Sequence, residues 1–107
     1  MNAKEELMYR IIDNCIRYCT IGDDPNSKVY ITREKVLGKA RHLNVVMTRA
    51  ICVNQLIKAG FNKPSIAQVL NKTVTSIRHL IKASDAFEKF STAYRNTLIR
   101  SEEHTSE

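Results

Sequence analysis

Pro64-Ser65-Ile66-Ala67-Gln68-Val69-Leu70-Asn71-Lys72-Thr73-Val74-Thr75-Ser76-Ile77-Arg78-His79-Leu80-Ile81-Lys82 reads as two short helices joined by a tight turn. Ile66, Ala67 and Leu70 form one apolar stripe, and Val74, Ile77, Leu80 and Ile81 form a second at helical spacing. Asn71 and Lys72 make the turn. Pro64 suits the first turn of the first helix, Ser65 to Leu70, because proline lacks the N–H that such a position leaves unpaired. Thr73 is a good N-cap for the second helix, Val74 to Ala83. The spacing predicts a helix-turn-helix.

The face left over on the second helix carries Thr75, Ser76, Arg78, His79 and Lys82. These are short hydroxyls and cations, the groups that reach base edges and phosphates in a DNA groove. Arg78 is the foremost candidate for base readout, since a guanidinium donates two parallel bonds to guanine O6 and N7. Thr75, Ser76 and His79 complete the expected base-contacting set. Lys63, Lys72 and Lys82 lie at element ends, where phosphate contacts are expected, and Thr73, exposed at the start of the second helix, is expected to join them on the backbone. Each residue has a plainer role open to it. Thr73 can serve as a cap alone, Ser76 can pack against the first helix, and His79 can be half-buried. Arg78 can face solvent in a helix-turn-helix that binds protein rather than DNA.

Charge points the same way. The 107-residue chain has a net charge of +6, but residues 32–82 hold ten Lys or Arg against one acid, Glu34. The flanking segments are slightly acidic. A basic patch centred on the motif is the electrostatic footprint of a phosphate-binding protein. The length fits one domain able to bury a core without a metal or disulfide. No apolar run approaches membrane-spanning length and the N-terminus lacks the apolar segment of a signal peptide, so a cytoplasmic, nucleoid-associated location is expected with no membrane partner. Cys15, Cys19 and Cys52 follow no zinc-finger spacing, even with His42 added, and read as small core residues. No metal or cofactor is expected.

Outward from the motif, Ala3 to Thr20 reads as an amphipathic helix with Met8, Ile11, Ile12, Cys15, Ile16 and Cys19 on one side. Ile21 to Lys28 is rich in turn formers and reads as a loop. Val29 to Ile31 is an apolar anchor, and Thr32 can cap the helix that follows. Arg33 to Ala59 carries an unbroken helical pattern, either one long helix or two with a bend near Asn44, and Gly60 is placed to end it. Val36, Ala40, Leu43, Met47, Ala50, Ile51 and Ile57 trace its expected buried face. Lys35, His42 and Arg49, seven apart, form an expected cationic stripe, with Lys39 one turn from Lys35. Asp85 is expected to start a last helix, with Glu88 completing a cap-like pair and Phe87, Phe90, Tyr94 and Leu98 facing the core. Residues 101–107 are acidic and expected to be a disordered tail.

Arg33-Glu34-Lys35-Val36-Leu37-Gly38-Lys39-Ala40-Arg41, then a long apolar helix, then Ser65-Ile66 opening the motif, resembles the C-terminal DNA-binding domain of the bacterial replication initiator DnaA. The resemblance covers about residues 32–83. It implies a Trp-repressor-like helical fold and double-stranded DNA as partner. It also implies that Arg33 and Lys35, at the start of the long helix, reach the minor groove. The family's Gly-Gly-Arg-Asp-His-Thr-Thr-Val stretch is replaced here by the shorter Asn71-Lys72 turn, and Thr75, Ser76, Ile77 and His79 keep its character. The short turn also resembles helix-turn-helix units of transposon resolvases and small transcription regulators.

The expected fold is therefore all-α: a small bundle of about five helices containing a helix-turn-helix. Residues 1–31 would be an N-terminal amphipathic helix and loop, 32–100 the DNA-binding domain, and 101–107 the tail. The expected function is sequence-specific binding of double-stranded DNA in transcription or replication control. Thr75, Ser76, Arg78 and His79 would touch bases. Arg33, Lys35, Arg41, Lys63, Lys72, Thr73 and Lys82 would touch the backbone or minor groove. The alternative is a helical adaptor that binds protein and not DNA, with the N-terminal helix docking a partner or a second copy. An enzyme is not expected, because no paired carboxylates, Cys-His pair or phosphate loop is visible.

Overall fold

Apolar residues three and four apart on each segment fold into helices whose stripes meet in a shared core. The computed structural model describes residues 2–17, 33–39, 43–92, 94–96 and 98–99. Helix α1 spans Ala3–Arg17, α2 Arg33–Leu37, α3 Leu43–Lys58, α4 Lys63–Val69 and α5 Val74–Phe90, and helical residues recur within 92–99. No strand occurs among the described residues. The protein is an all-α bundle, as its periodicity predicts. The expected loop at 21–28, the anchor at 29–31, Thr32 and the tail at 101–107 lie outside the described residues.

Helix α3 is the centre and packs against α1, α2, α4 and α5. Its Ala50, Ile51, Val53 and Leu56 join Met8, Ile11, Ile12 and Cys15 of α1 and Ile66, Leu70, Ile77 and Leu80 of the helix-turn-helix in one buried cluster. The apolar face of α1 is thus part of the common core. Asn2 caps α1, its Oδ1 accepting the Glu5 N–H at 2.8 Å. Cys15 and Cys52 are buried free thiols, as expected of core cysteines. No group of three metal-type ligands gathers among the described residues, which do not include Cys19 or His42.

The long pattern from Arg33 to Ala59 is two helices, not one, and the break lies before Asn44. Gly38 makes a tight turn at the end of α2, its N–H reaching the Lys35 carbonyl at 3.3 Å. A Cβ at Gly38 would lie 2.8 Å from the Glu34 carbonyl oxygen, so only glycine fits without displacing backbone. The last carbonyls of a helix have no intrahelical donor. Here Arg49 supplies one: Nε donates to Val36 O at 2.7 Å, and Nη2 to Lys35 O at 3.0 Å and Gly38 O at 3.1 Å. Arg49 is only 7% exposed, and burial pushes its pKa down. The expected cationic stripe of Lys35, His42 and Arg49 is therefore not formed, since Arg49 points into the protein and Lys35 belongs to a separate helix. Leu43 and Ile57, expected on the buried face, are exposed.

Two helices end alike. Gly60 adopts φ +97°, and Phe61 N–H bonds Leu56 O at 3.1 Å while Gly60 N–H bonds Ile57 O at 3.0 Å. Asn71 adopts φ +56°, with Lys72 N–H on Ala67 O at 2.9 Å and Asn71 N–H on Gln68 O at 3.2 Å. Both are left-handed C-terminal caps that satisfy orphan carbonyls. The second reverses the chain into α5 and forms the turn of the helix-turn-helix.

The expected break at Asp85 does not occur. Ser84 stays helical, its buried hydroxyl paired with the Tyr94 hydroxyl, and α5 continues to Phe90. Ser91 ends it and caps the next helical stretch, accepting the Tyr94 N–H at 3.1 Å. The late break changes which face turns inward. Tyr94 and Leu98 reach the core and Phe87 packs 5.3 Å from Tyr94, but Phe90 is 87% exposed rather than buried.

Two stability predictions follow from these buried polar groups. Arg49→Met leaves the α2 carbonyls without their donor, and urea unfolding is expected to register a loss of about 2–4 kcal/mol. A change within about 0.5 kcal/mol, typical of surface sites, would refute the role given to the guanidinium. Burial raises the Tyr94 pKa from 10.0 to about 12. The contribution is complete below the unfolded pKa and is lost as pH rises through the folded one. Tyr94→Phe is therefore expected to flatten the fall in stability between pH 10 and 12, measured by urea midpoints across that range.

Candidate nucleic-acid interface

Helix α5 starts where Thr73 can cap it. Thr73 Oγ1 accepts the Ser76 N–H at 3.1 Å and lies 3.0 Å from Ser76 Oγ. Both hydroxyls are thus engaged with each other at the helix start, and Ser76 is half-buried at the edge of the face. Ile77 and Leu80 turn into the core. Thr75, Arg78, His79 and Lys82 turn outward and are all exposed. At 3.6 residues per turn these four span an arc of roughly 100° and about 10 Å of helix. No acid occurs between Val74 and Ser84. The result is one convex, positively charged strip standing clear of the bundle.

Further cations lie at the start of the preceding helix. Asn62 caps α4, its Oδ1 accepting the Ser65 N–H at 2.9 Å, and Pro64 sits in the first turn as expected. Lys63 is exposed there. Lys4 of α1 reaches the same end, with Nζ 2.8 Å from Ser65 Oγ. The sequence gives no spacing that would join Lys4 to Lys63, since only the packing of α1 on α4 brings them together.

Arg33 and Lys72, two of the remaining expected contacts, are tied down within the protein. Arg33 donates Nε to Asp13 Oδ1 at 2.9 Å and Nη2 to Asp13 Oδ2, and its guanidinium lies 5.0 Å from the Tyr9 ring centroid. The hydrogen bond to Asp13 raises the Arg33 pKa. Both side chains are about half exposed, so the pair holds α2 to α1 as a surface ion pair does, weakly. Lys35 is half-buried on α2. Lys72, in the turn, is half-buried and donates from Nζ to Gly38 O. Its pKa is lowered, first by burial and then by the positive charges of Arg49 and Lys39. Arg41 lies outside the described residues. The turn of the helix-turn-helix is therefore fastened to the end of α2, which the sequence does not reveal.

The cap is separable from the face. Thr73→Ala is expected to cost about 1 kcal/mol in urea unfolding, while Thr75→Ala stays within about 0.5 kcal/mol. Equal losses at the two positions would remove the special role of Thr73. Compared with known protein families, with curated proteins and with solved structures, the chain matches none.

Proposed function

We propose that this protein binds double-stranded DNA in a sequence-specific manner and acts in transcription or replication control. The observation that carries the reading is the outward face of α5, where Thr75, Arg78, His79 and Lys82 stand exposed, with no acid on the helix before Asp85, directly after a helix-turn-helix turn. The B-DNA major groove is about 12 Å wide and admits one helix. In such docking the N-terminal half of the second helix meets base edges while the first helix crosses the backbone. Arg78, Thr75 and His79 then face bases. Lys82, Lys63 and Lys4 fall where phosphates run. Ser76 and Thr73 support the helix start, and Arg33 and Lys35 reach DNA only after yielding part of their present surroundings.

The rival reading, a protein adaptor, draws on the exposed phenyl of Phe90 at the far end of α5. It loses the docking surface first assigned to it, since the apolar face of α1 lies in the core.

Fluorescence anisotropy with a labelled random-sequence duplex, titrated at several salt concentrations, separates the two. DNA binding with a steep loss of affinity as salt rises is the expected result. No binding at low salt would transfer the case to the adaptor. Once a preferred site is selected, Arg78→Ala is expected to cost about 1–3 kcal/mol of discrimination at one base pair. An equal loss on every sequence would reduce Arg78 to a phosphate contact.

A further inference from the structure

One carbonyl oxygen, that of Gly38, accepts from two cations: Arg49 Nη2 at 3.1 Å and Lys72 Nζ. Lys39 follows Gly38 in the chain and is exposed. Three positive side chains from three parts of the sequence thus gather at the end of α2, against the turn that launches α5. Their roles differ. Arg49 is buried and its donors serve the α2 carbonyls. Lys72 is half-buried, and an ammonium has three N–H donors, of which Gly38 takes one. Lys39 is open to solvent.

The geometry points to a phosphate seat at this turn, in which Lys72 and Lys39 hold one oxyanion of a DNA backbone while Arg49 lies beneath. The inference rests on the DNA-binding reading and deepens it, adding Lys39 to the backbone contact expected of Lys72 and placing both on one phosphate. Its place in the motif selects a backbone phosphate over other anions. The turn connects a helix that crosses the backbone to a helix whose start meets base edges, so it stands at the groove rim. Like charges held together disfavour one another's charged forms. The lowered pKa of Lys72, with Arg49 and Lys39 among its causes, agrees with that crowding. An arriving phosphate relieves it and releases counterions from the DNA.

The test compares Lys39→Ala with Lys89→Ala. Lys89 is equally exposed, but it stands in the last turn of α5, about 22 Å along the helix from the turn. Anisotropy with the random-sequence duplex is recorded for each from low to moderate salt. Lys39→Ala is expected to flatten the slope of log affinity against log salt by part of the roughly 0.9 that one phosphate contributes, since Lys72 shares that phosphate, while Lys89→Ala leaves it unchanged. Lys72→Gln is expected to flatten it similarly, with urea unfolding run alongside because its ammonium also serves Gly38. Wild-type binding with the same slope in Lys39→Ala and Lys89→Ala would overturn the seat and leave the DNA-binding reading standing. Absence of wild-type binding at any salt would overturn both.

Discussion

The arrangement depends on one buried guanidinium. Arg49 lies on the central helix, in a segment otherwise apolar on the same side, and meets three backbone carbonyls at the end of α2. Taking a cation out of water is costly unless its hydrogen bonds are satisfied. The end of a helix offers the acceptors and the negative end of a dipole at once. Each solves the other's problem. With Arg49 in place, α2 cannot continue into α3, and its last turn is fixed against the centre of the bundle.

The surface features follow from that fixed point. Gly38 closes α2 tightly enough for its carbonyl to face both Arg49 and Lys72. Lys72 belongs to the turn between α4 and α5, so the orientation of the helix-turn-helix is tied to α2 and through it to α3. Asn71 supplies the left-handed residue that reverses the chain, and Thr73 starts the next helix. The apolar stripe of α5 then seats on α3, and the opposite stripe has nowhere to point but outward. The backbone beneath Thr75, Arg78, His79 and Lys82 is already helical, so on contact with another surface the ordering cost falls on the exposed side chains rather than on the main chain.

Much of this was legible in the sequence because it is local. The two stripes of the helix-turn-helix, the Thr73 cap, the turn at Asn71 and Lys72, the stop at Gly60 and the core face of α1 follow from periodicity and capping chemistry within a few residues. What was not legible depends on long-range partners. Arg49 reads as one more surface cation until α2 is folded back on it. Ser84 and Asp85 look like a helix boundary until Tyr94 supplies a partner for the buried hydroxyl, and that shift of the boundary to Ser91 carries Phe90 out to solvent. Lys72 reads as a free clamp, though packing sets its ammonium on Gly38. Arg33 reads as a groove contact, though Asp13, twenty residues earlier, holds it. Charge marks which region of the chain is basic, but not which cations hold the fold together.

The most direct test of the central claim is to map amide shifts by nuclear magnetic resonance as a short duplex is added to the labelled protein. Docking by α5 requires the largest shifts at Thr75, Arg78, His79 and Lys82, with further shifts at Lys63 and around the turn, and little change at Phe90. Shifts centred on Phe90 or on the outer face of α1, with none along the first half of α5, would contradict it.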